Sequence, residues 1–160
     1  MRIASFPSVV NADAEILILG TMPGAMSLAK YEYYAHRQNA FWKIMYTVFA
    51  DGNIPEVFPE KVALLQRNNI ALWDVLAHCE RKGSLDSNIK NQEENDILGL
   101  LSDYPKIKKI LFNGKESHRF FLKKFGPISA INLEVMPSTS PAYTMKFEEK
   151  LAIWRVALER

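Results

Sequence analysis

Four short apolar runs punctuate the chain, and stretches of helical periodicity lie between them. The runs are "EILIL" (residues 15–19), "NIALWDV" (69–75), "KIKKILF" (106–112) and "AINLEV" (130–135). The continuous hydrophobicity of "EILIL" suits a strand buried on both faces, and the other three runs read as further strands. A helix is expected over residues 39–50, where Phe41, Ile44, Met45, Val48 and Phe49 fall on one side. Further helices are expected over 61–67, over 91–102, over "KESHRFFLKKF" before Gly126-Pro127, and over 147–158. Strands alternating with helices predict an α/β fold, a three-layer α/β/α sandwich around a central, mostly parallel four-stranded sheet. At 160 residues the chain fits a single domain spanning 1–160.

Right-handed crossovers place the C-terminal ends of parallel strands on one edge, where ligands bind. The residues that follow each strand are therefore the ones to read for chemistry. They are "GTMPGAMSLAKYEYYAHRQN", "LAHCERKGSLDSN", "NGKESHR" and "MPSTSPAY". The first lacks the Lys-Ser/Thr of a phosphate-binding NTPase loop and the G-x-G-x-x-G of a dinucleotide site. No G-x-S-x-G elbow occurs, and no His/Cys group has zinc spacing. No metal and no organic cofactor is expected.

The same loops carry the elements of a pocket for a base turned out of a duplex. Tyr33, Tyr34 and Phe41 offer flat faces for stacking. Asn39 and Asn113 offer amides that both donate and accept, as a base edge does. Gly20, Thr21, Met22, Pro23 and Gly24 form a turn that would line the pocket. Pro137, Ser138, Thr139, Ser140 and Pro141 suit phosphate contact or a wedge in the minor groove. His36, Arg37, Lys115, His118 and Arg119 add polar or positive groups at the same edge. Plainer roles stand beside these. Asn39 also fits a helix N-cap, and Asn113-Gly114 also fits a simple turn. Asp74 reads as a residue that caps or bridges loops, His118 as a helix-surface residue. Trp73, Trp154 and Cys79 read as packing.

The set "GTMPGAMS", "YYAHRQNAFW", "LFNGK" and "MPSTSPA", in that order and each after a strand, resembles the uracil-DNA glycosylase superfamily, most nearly its hypoxanthine (deoxyinosine) branch. The resemblance implies that the chain is a monofunctional DNA glycosylase, hydrolysing the N-glycosidic bond of deaminated bases, hypoxanthine or uracil, in base-excision repair. Single-domain members carry Asp or Asn in the first loop to activate water; here Thr21-Met22 stands in that place. In the branch resembled, the asparagine of the N-x-F-W stretch serves instead, which implies Asn39. "FNGK" resembles the mismatch-specific branch and implies that Asn113 meets the flipped base. "ERKGSLDS" resembles a Gly-Ser-x-Asp loop of that branch. "PSTSPA" would be the loop that enters the minor groove. Two rivals remain open on these residues. One is a uracil- or mismatch-specific enzyme without hypoxanthine activity; the other is a non-catalytic nucleic-acid-binding module.

Net charge is +2, a weak pull toward a polyanion such as DNA. The single cysteine excludes an intrachain disulfide and suits a reducing compartment. The first ten residues are too short and mixed for a signal segment, and no run approaches a membrane span. A cytoplasmic monomer is expected.

Overall fold

The computed structural model describes residues 2–160. Its centre is a parallel sheet of four strands, β2 (Ile16–Gly20), β3 (Ile70–Asp74), β6 (Lys109–Asn113) and β7 (Asn132–Met136), in the order β3-β2-β6-β7. All five residues of β2 are buried, as expected of a strand covered on both faces. Alternation along β2 divides the core in two. Ile16 and Ile18 face a cluster with Phe41, Ile44, Met45, Leu64, Leu65 and Trp154. Leu17 and Leu19 face another with Ile97, Ile110, Phe112, Phe120 and Phe121. The first cluster is covered by helices α2 (Phe41–Phe49), α3 (Phe58–Arg67) and α6 (Phe147–Ala157). The second is covered by α4 (Ile97–Asp103) and α5 (Lys115–Phe125). Each fully buried Leu, Ile or Phe contributes about 1.5–3 kcal/mol relative to exposure, so both faces hold the sheet.

A second sheet was not foreseen from the sequence. β1 (Arg2–Ala4), β4 (Leu76–Glu80) and β5 (Lys90–Glu94) pair antiparallel in the order β1-β4-β5. The expected helix over 91–102 is thus divided: β5 takes 90–94, and only α4 is helical. Asp96 starts α4 by accepting a hydrogen bond from the Gly99 N–H at 3.0 Å. β5 reads "KNQEE", with no alternation of apolar residues; pairing with β4 decides its state. The first loop also contains a short helix, α1 (Ala25–Lys30), and the third strand begins at Lys109 rather than Lys106.

The strand order fixes where a ligand can sit. After β2 the chain turns to the face bearing α2 and α3; after the neighbouring β6 it turns to the face bearing α5. Adjacent strands whose connections leave toward opposite faces open a crevice at their C-terminal ends. Gly20 ends β2 and Asn113 ends β6, so both stand at that crevice.

Candidate functional site

Parallel pairing does not stop at the end of β2. Gly20 and Asp74 are register partners, and the Val75 and Leu76 N–H groups donate to the Gly20 and Thr21 carbonyls at 2.8 and 3.1 Å. The first loop is thereby held as a fixed floor. Gly20 is required there by close approach. A Cβ on it would lie 2.6 Å from Asp74 Oδ1 and 2.9 Å from the Tyr34 hydroxyl. The 81–88 loop closes one side. Ser84 Oγ accepts from the Ala25 N–H at 2.9 Å, and the Arg81 guanidinium donates to the Pro23 and Gly83 carbonyls, both at 2.7 Å.

The opposite wall is the segment after β7. The Asn113 amide grips it at Thr139: Nδ2 donates to Thr139 Oγ1 and Oδ1 accepts from the Thr139 N–H, each at 2.9 Å. The Thr139 carbonyl in turn accepts from the Ala40 N–H at 3.0 Å. From α6, the Trp154 indole N–H donates to the Pro137 carbonyl at 3.0 Å and buried Lys150 donates to the Ser140 carbonyl at 3.1 Å. Desolvation lowers the Lys150 pKa. Gly114, at φ +95°, passes under Ser138, whose Cβ would be 3.2 Å from a side chain placed there.

These elements enclose a cavity of about 870 Å³. Among the residues expected to form the site, Gly20, Thr21, Met22, Gly24, Tyr34, His36, Asn39, Asn113, Lys115 and the whole segment from Pro137 to Pro141 line it. Asn39 sits at its margin just before α2. Its Oδ1 accepts from the Phe41 N–H at 2.9 Å, which fixes the amide while leaving its N–H groups and one lone pair free. The helix itself begins after Ala40, one residue later than an Asn39 cap would have it.

Three expectations require correction. Phe41 is fully buried and lies behind Tyr34, the rings stacked at 4.2 Å, so it supports a stacking face without offering one. Tyr33 is also buried, and its hydroxyl donates to the Pro7 carbonyl at 3.0 Å. Pro23 is absent from the lining; its carbonyl serves Arg81. Aromatic content in a motif does not say which rings face inward. Arg37 is exposed and does not line the cavity. His118 packs edge-on to Phe112 with ring centres 5.0 Å apart.

The structure also brings in residues given little weight from sequence. Asp74, Leu85, Asp86, Met26 and Tyr143 all line the cavity. Asp74 is 3% exposed, and burial, reinforced by the Asp86 charge and opposed by Arg81, pushes its carboxyl up to about 8. Burial likewise raises Asp86, opposed by the nearby Thr21 hydroxyl, whose geometry falls short of a hydrogen bond, and by Arg81. Burial and then Asp74 raise Tyr34, against the nearby Asn113 amide, whose geometry falls short of a hydrogen bond. Asp74 Oδ2, the Tyr34 hydroxyl and Thr21 Oγ1 are buried with no hydrogen-bond partner among the described residues. The available signal for Asp74 was one acid closing an otherwise apolar strand, "IALWD". No group of three or more His, Cys, Asp or Glu side chains among the described residues is placed to hold a metal ion.

Comparison with known proteins agrees with this geometry. A family model described as the uracil DNA glycosylase superfamily matches residues 7–158. A hypoxanthine DNA glycosylase of Methanosarcina barkeri (strain Fusaro / DSM 804) is 32% identical over 162 residues, covering 100% of each chain. A protein of the same name from Methanosarcina acetivorans is 35% identical over 139 residues, 86% of this chain and 85% of that one. A solution NMR structure from Methanosarcina acetivorans, of a candidate uracil DNA glycosylase, superposes with a TM-score of 0.82 at 31% identity, over 99% of this chain and 97% of that one.

Proposed function

This chain belongs to the uracil DNA glycosylase superfamily and is a DNA glycosylase of deaminated bases; we propose that hypoxanthine is the base it releases and that Asn39 positions the attacking water. The observation that carries this reading is the placement of Asn39 on the same cavity as Asn113 and the Gly20 floor. An amide has no useful pKa, so Asn39 acts by orientation: a free lone pair on Oδ1 accepts from water and aims its oxygen at the sugar carbon.

The base edge is read by what Asn113 has left. One N–H and one lone pair of its amide are committed to Thr139. The remaining N–H and lone pair lie at opposite ends of the amide, and each can meet a base group singly. The free N–H can donate to the carbonyl that hypoxanthine presents; uracil presents a carbonyl too, which makes it the second substrate. Tyr34, held by Phe41 behind it, fixes the wall of the cavity nearest Gly20. The segment from Pro137 to Pro141 enters the minor groove, and Lys115 and His36 meet the backbone at the rim. A monomer is the proposed state, and the cytoplasm is the proposed compartment. No helix among the described residues is long and apolar enough to cross a membrane.

The test uses labelled duplexes carrying one hypoxanthine or one uracil, incubated with protein and then alkali to break the strand at abasic sites. Cleavage of the hypoxanthine duplex is expected. Asn39→Ala should lower single-turnover release by about 10²-fold or more, with DNA binding retained. Cleavage of uracil alone would reassign the substrate. Binding without cleavage of either would return the chain to a non-catalytic role.

A further inference from the structure

Asp74 closes β3 at the floor of the cavity, opposite Gly20 in register. Its carboxyl receives no side-chain hydrogen bond among the described residues. Oδ1 lies against the Gly20 Cα beside the Tyr34 hydroxyl. Oδ2 is buried without a hydrogen-bond partner among the described residues, and so is the Tyr34 hydroxyl. The nearby cation, Arg81, acts on the carboxyl through its charge; its Nε and Nη2 donate to the Gly83 and Pro23 carbonyls, and its Nη1 is buried with no partner among the described residues. The other ionisable groups acting on this carboxyl are Asp86, Tyr34 and Tyr33, none of them positive. A buried acid with no partner costs free energy, and the fold retains it where a ligand would complete its bonding.

We propose that Asp74 is a catalytic hydrogen-bond donor to the departing base, acting with the Tyr34 hydroxyl from the floor of the cavity. The proposal rests on the glycosylase reading. A carboxyl donates only when protonated, and burial with Asp86 nearby holds Asp74 in that form up to about pH 8. As the bond between the sugar carbon and the base nitrogen breaks, its electron pair moves onto the base. The Asp74 O–H stabilises that charge and passes its proton to the base, which leaves neutral. Water forms the new carbon–oxygen bond and releases one proton, which restores the balance and reprotonates Asp74 through solvent. Asn39 thus serves the incoming water and Asp74 the leaving group, two tasks that need different protonation chemistry.

The test is single-turnover release from a hypoxanthine duplex between pH 5.5 and 10. Wild type should be flat to about pH 7 and fall about tenfold per pH unit above 8 as the donor ionises. Asp74→Asn keeps the shape and a donor but cannot titrate. It should release base more slowly and lose the alkaline fall. Any titration of the DNA itself is common to both proteins and cancels in their ratio. Asp74→Ala should lose about 10²-fold in release with affinity for an abasic duplex within about threefold of wild type. An alkaline fall that persists in Asp74→Asn would overturn the proposal. So would a wild-type rate that rises through pH 8, the mark of a general base. Wild type that releases no base would instead overturn the glycosylase reading beneath it.

Discussion

At the scale of single residues, Tyr34 shows how stability and function diverge at this site. Its backbone is left-handed, at φ 54°, and its ring is stacked on Phe41. Its hydroxyl is buried and unpaired among the described residues, which costs about 1–3 kcal/mol. Tyr34→Phe keeps the ring and removes that cost. It is expected to raise the melting midpoint, by up to about 1 kcal/mol of stability, while slowing base release. Calorimetry and the duplex assay on one preparation give both readouts, and a less stable variant would mean the hydroxyl is satisfied in solution. Asn39 and Asn113 were legible in the sequence because each follows a strand or precedes a helix within a recognisable stretch. The orientation of Tyr33 and Phe41 was not, since a one-dimensional pattern does not distinguish a ring that faces the cavity from one that supports it. Asp74 was discounted because a lone acid at a strand end also serves as a cap.

At the scale of elements, the segment after β7 is anchored from β6, from the residues before α2 and from α6. Gly114 is the hinge of this arrangement. At φ +95° and ψ 158° it occupies backbone space that only glycine adopts without strain, and Ser138 lies directly over it. Gly114→Ala is expected to cost about 1–3 kcal/mol from the backbone alone and to displace Ser138 and Thr139. Denaturant unfolding should show the loss, and affinity for an abasic duplex should fall with it; unchanged affinity would mean the 137–141 segment does not touch DNA. β2, β3 and β6 could be read from their apolar runs, since their middles are buried; β7 is an edge strand with Asn132 and Val135 exposed, and its sequence is correspondingly more mixed. β1, β4 and β5 could not be read in this way. Their short runs mix apolar and polar positions, and strand geometry comes from the antiparallel pairing of β1 and β5 with β4.

At the scale of the whole molecule, the buried acid floor links folding to pH. The Asp74 carboxyl titrates near 3.8 when unfolded and near 8 in the fold, so the folded state holds the proton longer. Its contribution to stability is complete below the unfolded value and is lost as pH climbs toward 8. Asp86 acts in the same direction. Wild type should therefore lose stability relative to Asp74→Asn between about pH 4 and 8, by at most about 1.4 kcal/mol per unit. Urea titrations of both proteins at pH 5 and pH 8 measure the difference. Parallel behaviour at the two pH values would place an ionised carboxyl in the fold.

Because the 137–141 segment is tied down on three sides, it has little left to order when it meets a duplex. Deformation on binding therefore falls on the DNA. As the wedge proposed for it, this segment would test each step of the helix for compliance, and a weakly held pair would yield before a sound one. Selection in this enzyme would then begin before any atom of the base reaches Asn113, as a measurement of how loosely its partner holds it.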